Sequence, residues 1–260
     1  MEIITLKARY FMDLGAVFHD LSALYHVVPG DAAPNLSAAE LGDVQEHFEN
    51  VLRLCGELKL PVSAGLIRSR LDHAKLPRSE EAFSLLRDAV YAELKDTWFA
   101  YIPTDRLDYF DTDRIVSFAI RQAFPSASEE IKNAGTCYAM GLATASVFHA
   151  MRAVEIGIQV MAAKLNVTLG SPIELSSMGP IIGGIEDQIR EMKKGARSAQ
   201  KDEDIRFYSE AAAQFRHFNN GWRIRAAHAR ATYEDAQAKA VLDHVIPFFE
   251  TLTERLAEPE

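Results

Sequence analysis

Apolar residues recur at helical spacing along most of the chain, and this pattern limits the fold more than any other feature of the sequence. Segments 5 to 27, 38 to 59 and 80 to 98 each place apolar residues three and four positions apart. The apolar series in the third segment is Phe83, Leu86, Val90 and Leu94. Strand-type alternation is nearly absent, although the aromatic run "TWFAYIP" could form a short extended segment. The sequence therefore predicts an all-α, multi-helix protein.

The helical pattern is interrupted near the middle of the chain. Residues 102–126 mix Pro, Asp and aromatic residues without a clean period, so we place the connection between two halves there. The N-terminal helical region then covers residues 1–101, and a helical bundle covers residues 127–258. A stretch rich in small residues from Ser126 to about Leu165 predicts one long helix at the centre of a four-helix bundle.

Three helix starts carry capping signals. Ser37 precedes Glu40 by three residues, and Ser126 precedes Glu129 by three, which is the spacing of the capping box. Thr232 is expected to be the N-cap of the last helix, with an Asp three residues later.

Composition limits the class of protein. The N-terminus has no unbroken apolar run of signal-peptide or membrane-spanning length, and the two cysteines lack metal-ligand spacing, so we expect a cytoplasmic protein without membrane contact, metal or cofactor. A net charge of -9 argues against a general nucleic-acid coat protein. Residues 190–230 nevertheless hold ten Lys and Arg against five Asp and Glu, which permits a local site for a polyanion.

The stretch "NNGWRIRAAHARATY" concentrates the residues best suited to chemistry. His228 can exchange a proton near neutral pH, and the planar guanidinium of Arg223 can stabilise negative charge on phosphorus, with Arg225 in support. Together they could cleave RNA through its 2′-hydroxyl without metal, and a two-fold dimer would supply the second proton-transfer group. Spacing alone favours the other interpretation, which is the solvated basic end of a helix with a hydrogen-bonded histidine.

Arg223 and His228, with four residues between them, resemble the Arg-x4-6-His motif of the HEPN superfamily (higher eukaryotes and prokaryotes nucleotide-binding domains). Trp222, Tyr233 and the segment "VFHAMRAVEIG" resemble an uncharacterised bacterial family allied to these domains, and the likeness covers about residues 100–257.

The resemblance implies a C-terminal HEPN-like four-helix bundle and a homodimer. In active members it implies a metal-independent ribonuclease, often a toxin or phage-defence effector, which suggests an antitoxin protein as a further partner. Active members usually carry a polar residue, often Asn, directly after the motif Arg, whereas this chain has Ile224. A noncatalytic module that binds nucleotides, RNA or another protein is therefore the alternative function.

Further candidates lie on the predicted central helix. His149, Arg152 and Glu155 recur at three-residue intervals and share one broad helical face. They could contact a nucleotide beside His228, or they could be an intrahelical Arg–Glu pair with a packed histidine. Trp222 could stack on a base, but a Trp at a helix end more often anchors the bundle or an interface.

Overall fold

The computed structural model describes residues 9–26, 38–72, 80–95, 101–195, 198–223 and 232–259, and of residues 9–11, 22–26, 38–41, 72, 80–83 and 223 it describes the backbone alone. Within these ranges the protein is all-α and contains no strand, as the periodicity predicted. The chain divides into two compact units, Met1–Phe99 and Ala100–Glu260. None of the helices in these ranges combines the length and the apolar composition that a membrane crossing requires.

Four helices are described in the N-terminal unit. They are α1 (Arg9–His26), α2 (Ala38–Glu57), α3 (Pro61–Asp72) and α4 (Glu80–Leu94). Their core includes Leu21, Val44, Phe48, Val51 and Leu54, all of which are fully buried. Helix α2 begins next to Ser37, but this predicted cap lies outside the described residues.

Glu93 of α4 caps the start of α3 from a distance. Its carboxylate accepts hydrogen bonds from the backbone N–H groups of Val62 and Ser63, at 3.0 and 2.7 Å, and from the Ser63 hydroxyl. These N–H groups belong to the first turn of a helix, which has no acceptors of its own. The contact therefore joins α3 to α4 as well as completing the helix end.

The described residues of the C-terminal unit form six further helices. They are α5 (Phe118–Ala123), α6 (Pro125–Ala139), α7 (Ala143–Lys164), α8 (Met178–Lys194), α9 (Ala199–Phe218) and α10 (Asp235–Thr253). Short 3-10 turns cover Thr104–Tyr109, Asp113–Ile115 and Ile173–Leu175. Five of these helices are 15 residues or longer, so the unit is larger than the predicted four-helix bundle.

Helix α7 is the centre of this unit. Its Gly157 lies against Phe215 of α9 and against Phe249 and Leu252 of α10, where an added Cβ would come within 3.2 to 3.5 Å of their side chains. The largest fully buried side chains around it are Ile120, Phe124, Ile131, Ile158, Phe215, Phe218 and Phe249. The small residues of the central stretch thus allow close helix packing, as expected from the sequence.

Residues 102–126 are part of the C-terminal unit rather than a connection between units. Val116, Ile120 and Phe124 are buried in its core. The 3-10 turns pack so closely on α6 that a Cβ at Gly135 would lie 2.3 Å from Ile115 Cδ1. The Pro and Asp residues that suggested a connection instead belong to short turns laid over a helix.

The expected long helix is divided into α6 and α7 at Gly141, which has a φ of 74°. The Leu142 N–H donates to the Cys137 carbonyl at 2.8 Å, and the Gly141 N–H donates to the Tyr138 carbonyl at 3.0 Å. These two bonds form a Schellman motif, which ends a helix at a left-handed residue. The prediction of one continuous helix was wrong because Gly141 ends α6 instead of serving only as a small packing residue.

Two of the predicted caps are replaced by other residues. Helix α6 begins at Pro125, which needs no N–H acceptor, and the Glu258 carboxylate accepts from the N–H groups of Ser126 and Ala127 at 3.1 and 3.0 Å. The last helix begins at Asp235, with a capping box between Glu234 and Gln237. Ser126 and Thr232 are therefore not N-caps.

Candidate functional site

The residues flanking the Arg223–His228 segment meet at one end of the C-terminal unit. Tyr233 and Thr144 bring the first turns of α10 and α7 together, and Phe215 packs beside Gly157 farther along α7. Helices α7 and α10 therefore run in the same direction, and α9 runs against them. We call the end marked by Thr144, Trp222 and Tyr233 the motif end.

A π-helical turn carries the chain from α9 into the motif. It covers Asn219–Arg223 and extends the helix beyond Phe218, as the sequence allowed. Wide turns of this kind are rare and occur frequently at functional sites. Arg223 is its last residue, while Ile224, Arg225 and His228 lie outside the described residues, as does the Arg223 side chain.

Tyr233 joins the two described sides of the motif segment. Its hydroxyl donates to the Trp222 carbonyl oxygen at 2.9 Å, and its backbone N–H donates to the Thr144 hydroxyl at 3.0 Å. The first bond crosses from the π turn to the residues before α10, and the second attaches them to α7. The described residues on the two sides of 224–231 are thus attached to each other and to the bundle.

Trp222 anchors the motif end, as expected from its position. It is partly buried and packs against the core, with its ring 5.5 Å from the fully buried Phe218. Two exposed histidines lie against the same indole: His217 at 5.1 Å and His244 at 5.5 Å between ring centroids. Neither histidine was predicted from the sequence, because His217 is on α9 and His244 is on α10 and no spacing links them.

His149 and Arg152 share a carboxylate that the sequence analysis also missed. Glu130 of α6 accepts from Arg152 Nε and contacts His149 Nδ1, each at 2.7 Å. The Glu130 side chain is 14% exposed, whereas those of His149 and Arg152 are 32% and 54% exposed. The carboxylate therefore orients the half-buried His149 and the exposed Arg152, which could each contact a phosphate, but it also offsets their positive charge.

Glu155 lies one helical turn farther along α7 and lines a cavity of about 250 Å³. Gln159, Glu174 and Ser177 also line this cavity, and so do the apolar side chains of Ile158 and Met178. Two carboxylates in so small a space disfavour a phosphate, because like charges repel at short range. Glu155 thus lies in a different environment from His149 and Arg152, which both contact Glu130.

An ion pair fixes the beginning of α10 at the motif end. Arg106 donates to the Asp235 carboxylate at 2.6 Å and to the Tyr138 carbonyl at 3.2 Å, and its guanidinium lies 4.9 Å from the centroid of the Tyr138 ring. The hydrogen bond to Asp235 raises the pKa of Arg106, against burial, which lowers it. This arginine is therefore used in packing and is not presented to a ligand.

The motif segment is basic in sequence, whereas the described helix ends around it add little net charge. The amino ends of α7 and α10 and the carboxyl ends of α6 and α9 lie there together, so their helix dipoles largely offset one another. Residues 223–231 contain three arginines and one histidine and no carboxylate.

No family model, curated protein or solved structure matches this chain. The site is accordingly defined by its own residues: a segment that is basic in sequence, whose described flanks are joined by Tyr233, and the indole of its first flank with two exposed imidazoles against it.

Proposed function

We propose that this chain is a HEPN-like protein that acts on RNA as a homodimer, in the manner of a metal-independent ribonuclease of toxin or phage-defence type. Arg223 and His228 are the proposed catalytic pair, with Arg225 in support. The observation that carries the proposal is the position of Arg223 at the end of a π-helical turn, next to the Tyr233–Trp222 hydrogen bond. These contacts tie the flanks of the Arg/His segment to a rigid bundle, which is a requirement for positioned catalysis.

In the proposed reaction the ribose 2′-oxygen attacks the adjacent phosphorus, and the bond from phosphorus to the 5′-oxygen breaks. His228 takes the proton from the 2′-hydroxyl, and His228 of the partner subunit donates a proton to the departing 5′-oxygen. Arg223 stabilises the negative charge that develops on the phosphorane oxygens. The products are a 2′,3′-cyclic phosphate and a 5′-hydroxyl, and neither proton transfer requires a metal.

A second candidate function is a noncatalytic module that binds RNA, a nucleotide or a protein partner such as an antitoxin. Ile224 favours this alternative, because active members of the resembled family usually carry a polar residue at that position. The same basic segment would then hold a phosphate group without transferring protons.

The test is incubation of a mixed RNA pool in EDTA with the wild-type protein, Arg223→Ala, His228→Ala and a matched control. His19→Ala is the control, because His19 is an exposed histidine in the N-terminal unit. The proposal predicts cleavage by the wild type and His19→Ala and its loss in the two motif variants, all still dimeric by light scattering. RNA that is bound but left intact by the wild type would favour the noncatalytic alternative.

A further inference from the structure

Three aromatic rings, those of His217, Trp222 and His244, form a cluster at the described residues that lead into the motif segment. The three rings come from α9, the π turn and α10, and both imidazoles are within 5.5 Å of the indole between centroids. The indole itself is partly buried and supported by Phe218. The imidazoles, by contrast, are exposed to solvent.

The His244 ring is held in one orientation. Its Nδ1 lies 2.6 Å from the Ala240 carbonyl oxygen, which can only accept, so Nδ1 carries the proton and donates it. The His217 ring meets the indole edge to face, at an interplanar angle of 84°. An aromatic surface that is already oriented loses less conformational freedom when a flat ligand packs on it.

We infer that His217 and His244 form a stacking subsite for an unpaired nucleobase of the RNA held at the motif segment. Single-stranded RNA is commonly bound by stacking its bases on Phe, Tyr, Trp or His, while basic groups hold the backbone. Here Trp222 supports the two imidazoles and directly precedes Arg223, so the stacking surface and the start of the basic segment are adjacent in the chain. This inference rests on the proposed function, because it assigns the base that accompanies the bound phosphate.

The cluster has the composition of a base-binding surface rather than a phosphate-binding one. The nearby side-chain cations on the same helices are paired with carboxylates: Arg216 with Glu186 and Lys239 with Asp243. The phosphate-binding groups are therefore expected in the basic segment, and the contribution of the two histidines is the flat face of each ring. Substitution by Phe should accordingly preserve the subsite, whereas substitution by Ala should remove it.

The experiment measures binding of a 2′-O-methyl oligoadenylate, which lacks the attacking hydroxyl and stays intact. Trp98 and Trp222 are the only tryptophans, so Trp98→Phe leaves Trp222 as a fluorescent reporter beneath the subsite. In this background His217→Ala and His244→Ala are each compared with the corresponding Phe variant and with His19→Ala. Inorganic polyphosphate serves as a ligand that carries charge but no base.

We expect the Kd for the oligonucleotide to rise by about fivefold or more in each Ala variant. Fivefold is the lower end of the loss found when one stacked aromatic residue is removed. The Phe variants and His19→Ala should bind like the parent chain, and polyphosphate should be unaffected by all of them. Equal oligonucleotide binding by the Ala variants and the parent, or equal loss in the Ala and Phe variants, would overturn the stacking subsite and leave the proposed function intact. Failure of the parent chain to bind RNA at all would overturn both.

Discussion

The hydroxyl of Tyr233 donates a hydrogen bond to the backbone carbonyl oxygen of Trp222 across 2.9 Å. The two residues are eleven positions apart, and the Arg223–His228 motif lies between them in the chain. The bond therefore connects the residues before and after the proposed catalytic segment. It is a bond from a side chain to the backbone and is separate from the backbone hydrogen bonds of the helices.

Replacing Tyr233 with Phe removes this bond and keeps the ring. We expect the free energy of unfolding of the C-terminal unit to fall by about 1 kcal/mol, the typical net value of one intramolecular hydrogen bond. Urea unfolding followed by Trp222 fluorescence in the Trp98→Phe background measures the change. Tyr101→Phe is the matched control because Tyr101 is 83% exposed, and equal stability of the two variants would contradict the role given to the Tyr233 hydroxyl.

Gly135 and Gly183 allow a direct comparison of packing with helix propensity. A Cβ at Gly135 would lie 2.3 Å from Ile115 Cδ1 and 2.9 Å from the Tyr109 carbonyl oxygen, whereas one at Gly183 would meet nothing within 4 Å. We expect Gly135→Ala to destabilise the C-terminal unit by about 1 to 3 kcal/mol. Gly183→Ala, inside α8, should stabilise it by roughly 0.5 to 1 kcal/mol, and the same urea titration reports both. Changes of equal sign would contradict the packing of the 3-10 turns on α6.

Glu93 makes the stability of the N-terminal unit depend on pH. Burial raises the pKa of its carboxyl, but hydrogen bonds from Ser63 and Val62 outweigh this effect and lower the pKa below its ordinary value of 4.5. A lowered carboxyl pKa adds stability that is present above the unfolded-state value and is lost as the pH falls through the folded-state value. The stability difference between wild type and Glu93→Gln should therefore be largest near neutral pH and disappear in acid.

Cys55 provides the readout for that prediction. Burial and, to a smaller extent, the charge of Glu93 raise the pKa of the Cys55 thiol to about 12. Because this thiol is also fully buried, a thiol reagent can label it only when the N-terminal unit unfolds. In a Cys137→Ser background, urea-induced labelling of Cys55 by a pyridyl disulfide reports unfolding at neutral and acidic pH. Glu57→Gln, an exposed carboxylate on α2, is the control. A difference between Glu93→Gln and wild type that persists unchanged in acid would contradict the assignment.

The fold class and most of the helices could be predicted from the sequence because they depend on local periodicity. Helix ends were less predictable where the carboxylate that caps the helix is distant in the sequence. Glu258 supplies acceptors for the start of α6 from 131 positions away, and Glu93 does so for α3 from 30. Gly141 was read as a packing residue, although its backbone conformation ends a helix.

The candidate site was predictable only in part, because some of its contacts join residues that are distant in the sequence. Trp222 and Tyr233 were identified because they are close to the motif in sequence. Glu130, His217 and His244 enter through contacts between different helices, and a single sequence has no spacing that reveals such contacts. The charge of the motif segment was visible in the sequence, whereas its aromatic surroundings were not.

Replacing Ile224 with a polar residue distinguishes the two candidate functions. If the chain is a ribonuclease weakened by an apolar residue after Arg223, Ile224→Asn should increase the rate of RNA cleavage in EDTA by about tenfold, equivalent to roughly 1.4 kcal/mol of activation free energy. Ile224→Val, which remains apolar, should cleave at the wild-type rate. A decrease in the rate for Ile224→Asn would show that a polar side chain does not assist the site, and the argument from the resembled family would fail.

The chemical identity of the product ends tests the central claim most directly. RNA incubated with the wild-type protein in EDTA should yield fragments that end in a 2′,3′-cyclic phosphate and begin with a 5′-hydroxyl, and a His228→Ala variant of the same oligomeric state should yield none. Fragments produced equally by His228→Ala, or fragments with 5′-phosphate and 3′-hydroxyl ends, would contradict cleavage by Arg223 and His228 through the 2′-hydroxyl.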